Sequence, residues 1–326
     1  MTGRLGGLTA VVNGAGRGIG RAIAMEFAAE GAQVLVNDLG TESWGPQVEP
    51  DRANGVVAEI VAAGGDAIAD QSDIGDLDQA RELIERAVSV WGKLDILVNC
   101  AGILRYGSAT DTPPEDWDAQ IRTHLRGYYN TSTTAAKHWL ERGKYGRLIN
   151  FTSDAADGLP SLLAYSTAKA GVVGFTRSFA NAMVSYNVTA NCVRPIAATG
   201  MIDMLPQYQR SGERPSAAGV GTMMDPRNVA PLVLFLASPA ASHVTARTFT
   251  ATGGRYTLLT DPTEERVVEA NFLTQPADVY AQLERSLCAG LRLEDLQAPM
   301  PPLAELGDWK DTYGAVHPVW DFGRSV

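Results

Sequence analysis

Residues 8–20 narrow the possible folds more than any other stretch of the 326-residue chain. A β-prone apolar run, Leu8–Asn13, passes directly into Asn13-Gly14-Ala15-Gly16-Arg17-Gly18-Ile19-Gly20, and a helical pattern follows. Glycines at this spacing let the chain turn tightly, let its backbone approach a ligand, and let the helix sit close to the strand. The start of such a helix directs free N–H groups and partial positive charge at an anion such as a pyrophosphate. The next apolar run ends in Asn37-Asp38-Leu39. Its carboxylate stands where ribose hydroxyls are accepted in dinucleotide folds.

The rest of the chain keeps this rhythm. Apolar runs at Gln33–Asn37, Asp66–Ala69, Leu94–Asn99, Gly146–Thr152, Val188–Val193 and Thr248–Ala251 read as strands. Amphipathic stretches at Gly18–Glu30, Ala53–Ala63, Leu77–Trp91, Glu115–Arg142, Tyr165–Tyr186 and Arg227–Ala237 read as helices. Alternation of this kind predicts an α/β fold: a single doubly wound parallel sheet, the Rossmann arrangement, with helices on both faces. Gly40–Arg52, with Pro46 and Pro50, reads as an inserted surface loop. The Gly-, Pro-, Ser- and Met-rich segment of about 199–224 reads as a substrate lid. Residues 1–259 form the predicted dinucleotide-binding catalytic domain. Residues 260–326 form a C-terminal extension, not an independent domain, with one helix-like segment at Pro276–Ala289. Its aromatics Trp309, Tyr313 and Trp320 are expected to pack on the core or a neighbouring subunit.

Composition excludes several functions. A net charge of −10 argues against nucleic acid or an anionic membrane as the main partner. No segment is apolar enough for a membrane span, and the first residues do not read as a signal peptide. Cys100, Cys192 and Cys288 lie far apart and read as free buried thiols of a reducing cytoplasm. Neither they nor His124, His138, His243 and His317 show metal-ligand spacing, so no metal is expected.

Ser153 ends the fifth run, at the carboxyl edge where doubly wound sheets bind ligands, and its hydroxyl can donate to a substrate oxygen. Tyr165 and Lys169 stand at i and i+4, one turn apart on one helix face. A tyrosine titrates near ~10, too high for an efficient base at neutral pH. A neighbouring ammonium is expected to lower that value.

Together these strings resemble the short-chain dehydrogenase/reductase family. The carriers are NGAGRGIG, Asp73 in SDI, NCAG over Asn99–Gly102, Tyr165-Ser166-Thr167-Ala168-Lys169 and Asn191-Cys192-Val193-Arg194-Pro195, over about residues 3–256. NDLG at 37–40, His124-Leu125-Arg126-Gly127 and Pro195–Met201 are similar to the (3R)-hydroxyacyl-CoA and hydroxysteroid dehydrogenase branch. The resemblance implies an NAD-dependent oxidoreductase that interconverts a secondary alcohol and a ketone, with Tyr165 as acid/base beside Ser153 and Lys169. It implies cofactor contacts from Gly14, Arg17, Gly18, Ile19, Gly20, Asp38, Leu39, Asp73, Ile74, Asn99, Ala101, Gly102, Tyr165, Lys169, Pro195, Ile196 and Thr199. The Asp38 carboxylate repels a 2′-phosphate, so NAD is favoured over NADP; Arg17 is the counter-signal.

His124 replaces an asparagine that supports a proton-relay water in the family. It reads either as that support or as a buried histidine bonded to a neighbouring strand. Ser153 is one residue closer to Tyr165 than is usual, which leaves Thr152 as a backup, and Asp154 beside it adds an unusual negative charge. The substrate is expected to be bulky and apolar, against lid residues such as Met201, Ile202, Met204, Leu205, Met223 and Met224, or a hydroxyacyl thioester anchored by Arg105, Arg122 and Arg126. The alternative is a catalytically inactive NAD sensor or scaffold. The family also implies a homodimer or homotetramer paired through helices 115–142 and 165–186.

Overall fold

The computed structural model describes residues 3–41, 49–142, 145–203, 208, 211–267, 279 and 282–291. The chain divides into two compact units, Met1–Leu259 and Thr260–Val326. The first holds one eight-stranded sheet in the order β3-β2-β1-β4-β5-β6-β7-β8. Its strands are β1 (Thr9–Asn13), β2 (Gln33–Asn37), β3 (Asp66–Asp70), β4 (Ile96–Asn99), β5 (Gly146–Phe151), β6 (Val188–Ile196), β7 (Thr248–Thr252) and β8 (Arg255–Leu258).

Alternate residues of the central strands enter two cores, as the period of a strand requires. Ala10, Val12, Val34, Val36, Ile96, Val98, Ile149 and Val193 pack on one face with Ile23 and Phe27 of α1 (Gly18–Ala29), Val56 of α2 (Arg52–Ala62) and Leu236 of the helix Ala230–Ala237. Val11, Leu35, Leu97, Leu148 and Cys192 pack on the other. They meet α3 (Leu77–Trp91), α5 (Gly127–Glu141) and α6 (Leu163–Met183). Asp76 caps α3 by accepting from the N–H groups of Asp78 and Gln79, and a left-handed Gly92 ends it.

The first seven strands are parallel, but β8 runs antiparallel to β7, so the sheet is mixed rather than wholly parallel. Gly253 and Gly254 both have positive φ (52° and 86°) and turn the chain in a two-residue hairpin. The expected helix 115–142 starts at Pro114 as α4 (Pro114–Gln120) and passes through a π-helical turn, Ile121–Arg126, before α5. The helix expected over 227–237 is a 3-10 turn, Pro226–Asn228, followed by Ala230–Ala237. Within the expected lid, Gly200–Asp203 and Pro215–Ala218 each form a helical turn. Met204 and Leu205 lie outside the described residues, as does most of the Gly40–Arg52 loop.

In the second unit, Leu283–Leu287 forms a π-helical turn within the expected helix Pro276–Ala289, part of which lies outside the described residues. Arg266 donates to the carbonyls of Leu287 and Ala289 there. Trp309, Tyr313 and Trp320 fall outside the described residues. All three cysteines are free; Cys192 is buried as expected, but Cys288 is exposed. Among the described residues no helix is long and apolar enough to cross a membrane.

Candidate active site

β1 pairs with β2 on one side and β4 on the other, so the chain reverses direction across the sheet at β1/β4. A crevice opens at the carboxyl ends of strands at such a point. The glycine loop lies there. Gly14 has φ 68°, and a Cβ on it would meet the Ala101 Cα at 2.5 Å. A Cβ on Gly20 would meet the Gly14 carbonyl oxygen at 2.1 Å. The loop is thus drawn tight against the β4 end and the α1 axis, with backbone atoms close against Gly14 and Gly20. Thr199 reaches it from the β6 side: its Cγ2 lies 3.4 Å from the place a Gly18 Cβ would occupy.

The Asp38 carboxylate accepts from the Gly16 N–H at 2.9 Å and from the Gly40 N–H at 2.8 Å, one oxygen each. Each oxygen keeps a further acceptor position for a hydroxyl. Arg17 is turned toward the lid, its Nη1 3.1 Å from a Cβ built on Gly200. The arginine beside Asp38 is Arg52 instead, whose Cβ packs at the same Gly16 position as the Asp38 carboxyl. Its guanidinium bonds Glu49 and the Thr41 carbonyl. Arg52 was not anticipated from the sequence, because the insertion between β2 and α2 hides its proximity. Leu39 is exposed, whereas Ile19 packs against the core.

Asp73 accepts from the Gly75 N–H and pairs with Arg122 at 2.8 Å. Ile74 is buried, and its carbonyl accepts from Asn130. Arg105 faces Asp116 at 3.6 Å and donates to the Leu104 carbonyl. Arg105 and Arg122, two members of the expected thioester anchor, thus each pair with a different acid. Pro195 and Ile196 pair with Ala251 and Thr252 at the end of β6.

A chain of amides, missed by the sequence reading except at Asn13 and Asn99, supports the crevice from below. Asn13 accepts from the Cys100 and Ala101 N–H groups, each at 3.0 Å, and donates to Asn99. Asn99 donates to Asn150 at 2.8 Å, and Asn150 donates to Thr176 of α6 at 2.9 Å. All four are buried. The register pairs Asn13 with Asn99 and Asn99 with Asn150, which brings the three amides side by side.

The candidate proton-handling groups expected from the sequence meet where β5 ends and α6 begins. Ser153 stands beside the Tyr165 phenol, and its hydroxyl donates to Asp154 Oδ1 at 2.9 Å. Thr152 is buried and donates to the Lys169 carbonyl at 2.8 Å, so it serves α6 and Ser153 alone of the two faces the phenol. Met201 of the lid places its sulfur 4.0 Å from the Tyr165 hydroxyl. Lys169 Nζ donates to the Phe151 carbonyl at 2.9 Å and lies 5.6 Å from the Tyr165 ring centroid. Tyr128, whose hydroxyl donates to the Ala101 carbonyl, flanks the ammonium at 5.3 Å.

Burial, not Lys169, dominates the phenol: it pushes Tyr165 above its ordinary value of 10, and the Asp154 charge adds to this. The expectation that the lysine governs this tyrosine is corrected accordingly, since its ammonium is drawn to the Phe151 carbonyl. Burial also lowers Lys169 to about 8.

His124 is buried edge-on to the Tyr165 ring, with centroids 5.1 Å apart. Its Nε2 lies 2.7 Å from the Ile103 carbonyl, and Nδ1 is buried with no hydrogen-bond partner among the described residues. Gly102 makes room for it, since a Cβ there would meet His124 Cε1 at 2.7 Å. Burial and the Lys169 charge hold this imidazole well below 6.5.

The lysine carries a stability consequence. Its folded value of about 8 lies below that of an unfolded chain, about 10.4. Below pH 8 both states are protonated and the folded protein bears the whole cost of the buried charge, on the order of 3 kcal/mol. That cost fades as pH rises from 8 to about 10.4. Lys169→Met is therefore expected to melt a few degrees higher than wild type at pH 7, with the difference shrinking at pH 10. Calorimetry at the two pH values checks this; an equal gap at both would refute it.

A family model described as enoyl-(acyl carrier protein) reductase matches residues 14–256. The chain is a short-chain dehydrogenase/reductase. It is similar to a hydroxyacyl-CoA dehydrogenase, ChsB1, of Mycobacterium tuberculosis, with 38% identity over 294 residues, 86% of this chain and 88% of that one. It is 37% identical over 252 residues, 77% of its length, to a peroxisomal hydratase-dehydrogenase-epimerase of Neurospora crassa, and spans 27% of that longer protein. A solved short chain dehydrogenase from Mycobacterium avium has a TM-score of 0.73 and 38% identity, over 86% of this chain and 95% of the other. Two further solved short-chain dehydrogenases carry different cofactors. One from Mycobacterium paratuberculosis is bound to NAD (TM-score 0.68, 29% identity, 77% and 98% covered). One from Burkholderia cenocepacia is in complex with NADP (0.64, 32%, 77% and 98%). As a short-chain dehydrogenase/reductase this chain is an oxidoreductase of hydroxyl and keto groups, and its fold binds nicotinamide cofactors. The inactive sensor or scaffold reading finds no support among these relatives.

Proposed function

We propose that this enzyme interconverts a secondary alcohol and a ketone with NAD, using Tyr165 as the proton-transferring group. The observation that carries the reading is the meeting of Tyr165, Ser153 and Lys169 at the carboxyl edge of the sheet, beside the glycine cradle. When bound, the oxidised nicotinamide accepts a hydride and brings a positive charge near the phenol. In alcohol oxidation Tyr165 takes the hydroxyl proton while Ser153 steadies the oxygen by hydrogen bonding. Lys169 holds the ribose and offsets the phenolate charge. Asp73, Ile74 and Asn99–Gly102 line the adenosine and ribose side, with Pro195, Ile196 and Thr199 on the nicotinamide side. His124 supports the proton path through its backbone, within the π-helical turn.

The assignment of NAD rests on Asp38, whose carboxylate faces the glycine loop. A 2′-phosphate beside it would meet like charge. Expected is a kcat/KM for NAD at least about tenfold above that for NADP, and a collapse of that lead in Asp38→Ser. Wild type preferring NADP would overturn the assignment.

The same reading places the chain in the cytoplasm as a homodimer or homotetramer. The exposed Tyr129, Leu140 and Val184 on or just beyond α5 and α6 favour pairing through those helices. A screen of acyl-CoA, steroid and small cyclic alcohols and ketones, in both directions with both cofactors, tests the activity as a whole. No turnover across the panel would sink it.

A further inference from the structure

One carboxylate in the site has no assigned purpose. Asp154 Oδ1 receives the Ser153 hydroxyl at 2.9 Å and the Ala155 N–H at 3.0 Å. Its second oxygen, Oδ2, is buried and has no hydrogen-bond partner among the described residues. Arg194 does not serve it, donating instead to the Asp154 backbone carbonyl at 2.9 Å and to the carboxylate of Asp157. A buried acceptor left in this state is costly, and such groups in folded proteins call for an explanation.

A conflict within the site supplies one. Ser153 has a single proton to give, and it gives it to Asp154. To donate to a reacting carbonyl oxygen, as proposed above, the hydroxyl must turn away. That strips the carboxylate of its only hydroxyl donor while Oδ2 is already without one. A plain ketone or alcohol leaves this debt standing. A substrate with a hydroxyl on the neighbouring carbon cancels it by donating its own O–H to Asp154. The geometry permits this. A carbonyl oxygen at hydrogen-bond distance from Ser153 would lie within roughly 5–6 Å of Asp154 Oδ1, a gap that one vicinal oxygen spans with ordinary O–H···O lengths of about 2.7 Å.

We infer that Asp154 is a specificity-determining residue that accepts a hydrogen bond from a donor next to the reacting carbon, so that the enzyme selects neutral vicinal diols and α-hydroxyketones over the corresponding simple alcohols and ketones. The inference rests on the proposed role of Ser153. It narrows the substrate class: an α-keto acid would place its carboxylate against that of Asp154, and a 3-oxoacyl thioester has no donor on the neighbouring carbon. The body of the substrate beyond the diol remains apolar, against Met201 and Ile202.

The test uses the full-length enzyme and the pairs trans-1,2-cyclohexanediol with cyclohexanol and 2-hydroxycyclohexanone with cyclohexanone. In wild type the hydroxylated member is expected to lead by about tenfold in kcat/KM. In Asp154→Ala that ratio falls to within about twofold of unity. Asp154→Asn, which keeps the shape and one acceptor oxygen, falls between the two and guards against a folding defect in the alanine variant. Because the readout is a ratio, a general loss of activity does not imitate it. The same ratio in wild type and both variants overturns the inference, as does a wild-type ratio near one. Binding separates this outcome from failure of the activity itself. If wild type oxidises no member of the panel, quenching of NADH fluorescence by each pair still reads the contact. About tenfold tighter binding of the hydroxylated member, lost in Asp154→Ala and reduced in Asp154→Asn, upholds Asp154 while the proposed activity falls; equal binding rejects both.

Discussion

Tyr165→Phe is expected to reduce kcat at least about a thousandfold for the best substrate found, while NADH binds within about threefold of wild type. The substitution removes one oxygen and leaves the ring, which lies edge-on to His124 and is buried within the same cluster. General acid–base groups typically contribute 10²- to 10⁴-fold, and here the phenol stands in the first turn of α6 beside Ser153 and Lys169. Burial holds it well above 10, and so does the Asp154 charge. The variant has lost the phenolate, and the Ser153 hydroxyl, a far weaker base, does not replace it. Single-turnover mixing of enzyme, NAD and alcohol reads the chemical step directly. A variant retaining more than about a tenth of the wild-type rate would remove Tyr165 from the proton path.

Gly14→Ala should abolish cofactor binding rather than chemistry. Its φ of 68° already strains a side chain, and the new methyl would stand 2.5 Å from Ala101 Cα and 2.6 Å from Ala101 N. Those are backbone atoms, held by Asn13 from below, so the loop must move. NADH affinity is expected to drop by at least about thirtyfold, and the melting temperature by several degrees. Gly64→Ala is the control. It has φ 87° with nothing within 4 Å, so it bears the strain of about 1 kcal/mol without the clash. It should melt slightly lower and bind NADH as wild type does. If both variants bind equally well, the cradle is not the cofactor site.

Much of this was legible in the chain because it is written locally. Seven strands announce themselves as short apolar runs, the glycine loop follows the first of them, and Tyr165 and Lys169 sit at helical spacing. What escaped depends on register or on packing. β8 is only four residues long, and its signal was the Gly253-Gly254 pair rather than any apolar alternation. The π-helical turn around His124 has no composition of its own. Asn150 reads as an unremarkable strand residue until β4 and β5 are set in register and bring it against Asn99. The direction of the Tyr165 shift was missed for a related reason: spacing places Lys169 one turn away but does not say that the Phe151 carbonyl claims its ammonium. Ser153 and Thr152, adjacent in the chain, were separable only once their hydroxyls were seen to point to different partners.

The buried amides beneath the site have a direction. At one end stand two backbone N–H groups, of Cys100 and Ala101, which can only give, so Asn13 must turn its oxygen to them. At the other end Thr176 gives its proton to the Val172 carbonyl at 2.7 Å, so it must receive from Asn150. Every amide between is then forced to one of its two orientations, like a row of arrows whose first and last are nailed down. The row runs from the loop after β4, against which the glycine cradle is drawn, to the helix that carries Tyr165 and Lys169. Turning any one arrow sets donor against donor on one side and acceptor against acceptor on the other. The polarity of that row thereby favours a single relative setting of the two halves of the site, with no charged group in the row itself.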